Sequence, residues 1–406
     1  MTTPRPGIPI STLNFQAPDF ARDPYPAFHA LRRLGPISYH EGMQRYVIAG
    51  WRECSKVLLN SKEFGSDEDA FIDLFGGRTM ECMERDRHTP VRGIWRKDFE
   101  HGTLGTCAAM IRGVVESRMR PFIERIRAGE TVDAVSGMTR GIPTIIIAKM
   151  LGIPESDFEL FSDWSDAMGD TAEGVADPSP RGQEIIRKGR QATRDLNDYI
   201  RARLGGRRAC PGDDLISRMV SSPVADTMDE AEIVASNTQL VFAGNETTAK
   251  LMAITMAELA RHPDQRRALM ADRSLIPQAL EEIHRCHTIV HVNGRYARGG
   301  KATIGGHVLA DGDNILILQG AANRDPERWE DPDRLDIFRE PRQHLGFGLG
   351  MHVCLGISLA RLEAQIWLDA LLDALPEWEV ADVDWGTNWA VRGPIRLDIQ
   401  GIKRCA

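Results

Sequence analysis

The sequence predicts a mainly helical protein with a smaller β region, and three observations lead there. From residue 87 to about 265, apolar residues recur at spacings of three and four, as in TCAAMIRGVVESRMRPFIERI and EIIRKGRQATRDLNDYIRARLGG. That period belongs to helices that bury one stripe. One helix is unusually long, running from about residue 227 to Pro263; at about 1.5 Å per residue it would cross the whole body. Beyond residue 304 the pattern changes to short strands and turns, ATIGGHVLADGDNILILQ, before a last helix, ISLARLEAQIWLDALLDAL.

Each element follows in order. Residues 1–17 form a Pro-rich N-terminal arm. DPYPAFHALRRLG reads as a helix stopped by Gly35, ISYHEGMQRYVIAG as two strands turning near Gly42, and WRECSKVLLN as a second helix. Residues 61–85 have poor periodicity and read as a long loop, which in a compact protein tends to be functional. GIPTIIIAKMLG and PESDFELFSDWSDAM continue the helical body, and Thr227 with Glu230 is expected to form the capping box of the long helix. Gly and Pro fall as punctuation, without repeats or linkers, so residues 1–406 are expected to form a single domain.

A chain of 406 residues can build a core around a sizeable ligand. Its net charge of −8 argues against a nucleic-acid surface. No apolar run of about 18 residues occurs and the N-terminus lacks a secretory core, so a soluble cytoplasmic protein without membrane contact is expected. The cysteines at 54, 82, 107, 210, 286, 354 and 405 are odd in number and show no CxxC spacing. Neither a disulfide framework nor a zinc site is indicated.

Cys354 stands apart, inside GFGLGMHVCLG at residues 346–356. A thiolate can ligate iron where water is restricted and the sulfur accepts hydrogen bonds. Glycines let backbone N–H groups crowd round it. The plain alternative is a Gly-rich turn that happens to hold a buried Cys. The stretch matches FGxGxHxCxG, however, at Phe347, Gly348, Gly350, His352, Cys354 and Gly356, and on these residues the chain resembles the cytochrome P450 family. Four further motifs agree in order. They are Ala243-Gly244-Asn245-Glu246-Thr247-Thr248, similar to AGxET; the ExxR of Glu282 and Arg285, with Arg339; the HxxxR of His88 and Arg92; and the strand after ExxR with Arg295.

The resemblance implies the P450 fold, a triangular helical body with a long central helix over the haem, and haem b with Cys354 as its axial thiolate. It makes His88, Arg92, Arg295 and His352 partners of the propionates, with Asn293 as a helper, and sets Phe347, Gly348 and Ala243 against the cofactor. Glu246 and Thr247 become the acid–alcohol pair that relays protons toward dioxygen. Glu282, Arg285 and Arg339 become a structural cluster tying a helix to the cysteine loop. Gln239, Phe242, Val290, His291 and Val292 are expected on the substrate wall, completed by residues 61–85, 158–199 and 388–391. Two bland readings stay open: Thr247 back-bonding a carbonyl beside a solvated Glu246, and His291 as a core histidine satisfied by a backbone carbonyl. Two departures from the family's pattern bear on the wall: Cys286-His287-Thr288-Ile289 stands where prolines are common, and His291 where an apolar residue is usual.

The activity implied is monooxygenation, either hydroxylation of a C–H bond or O-dealkylation, on a small or medium substrate such as an oxygenated aromatic or terpenoid. Without an anchor or reductase segment, electrons are expected from a separate ferredoxin and its NAD(P)H-dependent reductase. Arg96, Lys97, Arg342 and Arg361 would steer that partner to a monomer. The alternatives are a peroxide-driven peroxygenase and a haem-binding sensor without turnover, both disfavoured by the intact Glu246–Thr247 pair.

Overall fold

Apolar residues from both ends of the chain meet in one sheet. The structure is a computed structural model that describes residues 5–17, 19–66, 68–171, 174 and 179–402, without the side chains of 68–70; Cys405 and the start of the Pro-rich arm lie outside the described residues. The strands are β1 (Ile10–Ser11), β2 (Ser38–His40), β3 (Arg45–Ile48), β4 (Phe64–Ser66), β5 (Val132–Asp133), β6 (Val292–Ala297), β7 (Thr303–Ile304), β8 (His307–Val308), β9 (Asn314–Leu318), β10 (Trp378–Asp384) and β11 (Arg396–Gly401). Six of them form a sheet ordered β1-β2-β3-β9-β6-β4. β2 and β3 are the expected hairpin, and β3 lies parallel to β9 with Tyr46 opposite Ile315. The sheet buries Ile37, Tyr39, Tyr46, Ile315 and Ile317 in one core cluster. A separate three-stranded sheet, β10-β11-β5, comes from the tail and the middle of the chain.

The helices that matter for the site are α1 (Tyr25–Arg33), α2 (Trp51–Leu59), α3 (Glu68–Phe75), α4 (Arg85–Gly93), α5 (Ala108–Arg127), α6 (Ile142–Met150), α7 (Phe158–Gly169), α8 (Pro180–Ala209), α9 (Glu230–Arg261), α10 (Ile276–His287) and α11 (Ile357–Ala374). α9 is the expected long helix, and it is buried along most of its length. Its capping box differs from the sequence expectation. Asp229 Oδ1 accepts from Glu232 N at 2.8 Å, and Glu232 Oε2 accepts from Asp229 N at 3.2 Å. Thr227 instead spends its hydroxyl on Val224 O at 2.7 Å within the preceding turn. The better N-cap acceptor two residues on starts the helix.

Residues 61–85 are not one loop. β4 pairs with β6, Phe64 opposite Ala297 and Ser66 opposite Arg295, a partner far away in sequence. The carbonyls ending α3 are held by α8, from Asn197 Nδ2 to Phe75 O and from Thr193 Oγ1 to Leu74 O, both 2.9 Å. Both elements owe their order to distant contacts, so a local period could not announce them.

Glu282 on α10 is almost fully buried and accepts from Arg285 Nε at 2.7 Å and Nη2 at 2.8 Å, and from Arg339 Nε at 3.0 Å. Arg285 Nη1 also donates to Asn323 O and Pro332 O, at 2.8 and 2.9 Å. Removing one partner of such a cluster leaves a buried charge uncompensated. Arg285→Leu is therefore expected to lower stability by about 3–5 kcal/mol in urea unfolding. Arg339→Ala, which leaves the Arg285 contacts in place, should cost clearly less; equal losses would contradict this ranking.

Candidate active site

The turn before α11 can be built only by glycine at two points. Gly348 and Gly350 have φ of +71° and +77°, and a Cβ on Gly350 would lie 2.5 Å from Leu58 O of α2. Left-handed φ and that close approach both exclude larger residues. The turn closes through Gly348 N to Leu345 O and Cys354 N to Phe347 O, both 2.9 Å. Burial pushes the Cys354 thiol up to about 11, although a hydrogen bond from the Gly356 backbone pulls the other way. The free thiol is therefore neutral at pH 7, and a bound metal ion would have to displace its proton.

Cys354 borders a cavity of about 370 Å³ that α9 faces from the other side with Ala243, Gly244 and Thr247. Arg295 and Asn293 of β6 line it, as does His352. His88 packs edge-to-face on His352 with ring centroids 4.6 Å apart. Both ring nitrogens of His88, and Nδ1 of His352, are buried without a partner, while His352 Nε2 lies 3.2 Å from Ser66 Oγ. Burial and then Arg92 lower His88 to about 4; burial, Arg295, His88 and Arg92 lower His352 to about 3. Both rings are neutral at pH 7, so the positive charge at this edge belongs to Arg92 and Arg295. The buried Arg295 and the half-buried Arg92, which does not itself line the cavity, stand beside orphaned imidazole nitrogens and make a donor set for a group bearing two carboxylates. With Cys354 as a sulfur ligand, these residues fit a haem.

On α9 the acid and the alcohol part company. Thr247 borders the cavity and donates from Oγ1 to Ala243 O at 3.1 Å. Glu246 does not line it; its carboxylate pairs with Lys250 Nζ and lies where a side chain on Gly169 of α7 would intrude. Lys250 Nζ also donates to Val391 O at 2.6 Å. Of the bland alternative, Thr247 does back-bond a carbonyl, while the solvated Glu246 gives way to an ion pair in which Glu246 is 18% and Lys250 9% exposed.

The substrate wall holds Gln239, Phe242, Val290, Val292 and Val391. His291 is a correction. It is fully buried beside Tyr25 and Phe28, its Nε2 lies 2.9 Å from His287 O, and it does not line the cavity. It is the core histidine of the bland reading. Without a proline, the backbone turns at Thr288 with φ of +37°, secured by Thr288 Oγ1 to Arg285 O and Asn323 Nδ2 to Thr288 Oγ1. The expected wall from 158–199 is also absent among the described residues; Phe71, Leu74 and Phe75 of α3 stand there with Phe99. Asn293 Nδ2 is engaged by Gln319 Oε1 at 2.7 Å.

Three charged or imidazole-bearing lining residues were not singled out by the sequence reading, although Glu81 lies in the stretch 61–85 expected on the wall. Glu81, pushed up by burial and pulled down by Arg295 and Arg92, sits in the stretch taken for a loop. Glu363 on α11 is buried, which raises it well above the usual carboxylate range. His284, inside the ExxR motif, stacks edge-to-face on Phe347 at 4.5 Å. Only an odd polar residue on an apolar helix face could have signalled the last two.

The model of the cytochrome P450 family matches residues 6–382. The chain is 31% identical to "Vitamin D3 dihydroxylase" of Streptomyces griseolus over 94% of its own length and 92% of that protein. It is 34% identical to "Cyclomarin C epoxidase CymV" of Salinispora arenicola, covering 94% and 98%. A solved structure of P450BioI in complex with an acyl carrier protein ligated to hexadec-9Z-enoic acid superposes with a TM-score of 0.85 at 26% identity, covering 95% of this chain and 99% of that one. The fold and site define a haem-thiolate class of enzyme. This chain belongs to the cytochrome P450 family and is a P450 monooxygenase by family. No helix among the described residues is long and apolar enough to cross a membrane.

A second ionic tie braces the turn. Glu281 of α10 takes Arg361 of α11 at 2.9 and 2.7 Å and faces His344 Nε2 at 3.3 Å, while His344 Nδ1 accepts from Gly346 N at 3.0 Å. Burial raises the Glu281 carboxyl, but the hydrogen bonds from His344 and Arg361 outweigh it and bring it to about 2. A depressed carboxylate adds stability above its unfolded value and loses it as pH falls through the folded one. Glu281→Gln should therefore flatten the fall in stability between about pH 4.5 and pH 2, a difference of up to about 3 kcal/mol. An unchanged acid limb in urea titrations would refute this tie.

Proposed function

We propose that this protein is a haem b monooxygenase that inserts one oxygen atom of O₂ into a C–H bond of a small or medium, mainly apolar substrate. The observation that carries the reading is a half-buried cysteine and a helix hydroxyl bordering one cavity whose edge is lined by Arg295 and neutral His352, with His88 packed on His352 and Arg92 close behind. Cys354 would ligate the iron; Arg92 and Arg295, with the N–H groups of His88 and His352, would hold the propionates. When bound, the haem supplies the activation of dioxygen, which takes up two electrons and two protons and leaves one oxygen in the product and one in water.

The chain's own part is protonation and positioning. Thr247 holds a water or proton at the cavity face, and Glu246 feeds it once it leaves Lys250. Phe242, Val290, Val292 and Val391 press the substrate into place and exclude water. The electrons are proposed to come from a separate ferredoxin and its NAD(P)H-dependent reductase, in the cytoplasm, at the exposed Arg96, Lys97 and Arg342; Arg361 is already paired to Glu281. Hydroxylation and O-dealkylation both suit this site, and a monomer suffices for it. The hold of Lys250 on Glu246 favours one second reading, a peroxygenase that uses peroxide directly.

The reduced, CO-bound protein should show the red-shifted Soret band of thiolate ligation, absent in Cys354→His; a wild-type band like that of a histidine-ligated globin would overturn the assignment. Thr247→Ala should keep substrate binding but divert most NAD(P)H equivalents to peroxide. Full coupling in that variant would count against the relay, and turnover by peroxide but not by ferredoxin and NAD(P)H would favour the peroxygenase.

A further inference from the structure

Gln239 is 2% exposed, its Oε1 has no hydrogen-bond partner, and it lines the cavity. A buried amide left unpaired costs about 1–3 kcal/mol, so a site that keeps one has a use for it. Its neighbour Thr238 is satisfied by Asn197 Oδ1 at 2.6 Å. Three other orphans on the same helix, Ser236 Oγ, Asn237 Oδ1 and Asn245 Nδ2, do not border the cavity. Gln239, Ala243 and Thr247 follow at intervals of four, on one face of α9. Around Gln239 the wall is aromatic, with Phe75 and Phe242 edge-to-face at 5.6 Å. The charged liners Glu81 and Arg295 belong to the edge assigned to the propionates, and Glu363 to α11 behind the cysteine.

We infer that the substrate carries an uncharged hydroxyl that donates to Gln239 Oε1 while a carbon two helical turns away is oxidised opposite Thr247. Eight residues of helix separate the two, so the oxygen and the attacked carbon lie about 12 Å apart. The substrate class is an elongated apolar molecule with one neutral polar end. A carboxylate is excluded at that end because no cation compensates it there. This deepens the proposed monooxygenase reading and rests on it.

The test uses the haem-loaded protein and 4-alkylphenols from butyl to decyl, each beside the alkylbenzene of the same chain. The dissociation constant is read from the haem spin-state shift. In the wild type the phenols should bind better, and the alkylbenzene-to-phenol ratio of dissociation constants should fall at least about tenfold in Gln239→Met and Gln239→Leu. Under turnover, chain hydroxylation should track a fixed distance from the phenolic oxygen, so the longer chains are attacked inside rather than at their ends. An unchanged ratio in both variants, no binding of any phenol, or benzylic attack at every chain length would overturn the inference. A protein lacking the thiolate CO band would instead overturn the monooxygenase reading. A normal band with an unchanged ratio removes the Gln239 inference alone.

Discussion

Glu282 is a carboxylate almost without water, and the placement of Cys354 depends on how that charge is compensated. Arg285 meets it from the same helix and Arg339 from a loop more than fifty residues later, at 3.0 Å. Arg285 then reaches the carbonyl of Asn323, whose side chain accepts from Leu345 N at 2.7 Å, one residue before the glycine turn begins. The same Asn323 holds Thr288 through Nδ2. A break anywhere in this chain would strand a buried charge or an orphaned backbone group, each worth kilocalories. The cysteine turn therefore has one register against α10.

The cavity is polarised by the same rule. Charge is tolerated only where it has a counterpart, and the Arg92 and Arg295 guanidiniums keep theirs because arginine's ordinary pKa lies so far above neutrality that burial cannot discharge it. The histidines beside them cannot do so and are left neutral, with N–H groups to offer. Away from this edge the walls are Phe and Val, where an ion would be unsupported. On the proposed reading, a dianionic cofactor and a neutral apolar substrate would thereby be sorted to different parts of one space.

α9 runs through the middle of the body, so its polar side chains must find partners on other elements. Asn245 meets Thr144 of α6, Thr238 meets Asn197 of α8, and Lys250 ties Glu246 to the carbonyl of Val391. That last link joins the acid of the proposed relay to a residue that lines the cavity. It also explains why Glu246 faces away from the cavity while Thr247, one residue on, faces into it: successive helix positions point about 100° apart.

What the sequence determined by itself was local. The glycines round Cys354, the helix periods and the i, i+3 pair of Glu282 and Arg285 are set by neighbouring residues, and so they were legible along the chain together with the class of enzyme. His88, Arg92, Arg295, His352 and Thr247 were nameable because their motifs stand at set places along it. Only the tertiary structure decided that His291 sits in the core, that the segment 158–199 stays off the cavity while residues 61–85, expected there, wall it through α3, and that Glu246 turns from the cavity to Lys250. It also decided that Glu81 and His284 belong to the site and that Asp229 begins α9. Most of those outcomes are choices between partners distant in sequence, settled by burial and by the cost of leaving a polar group unpaired, whereas the Glu246–Lys250 and Asp229–Glu232 pairs are i, i+4 and i, i+3 spacings that a closer local reading would have found.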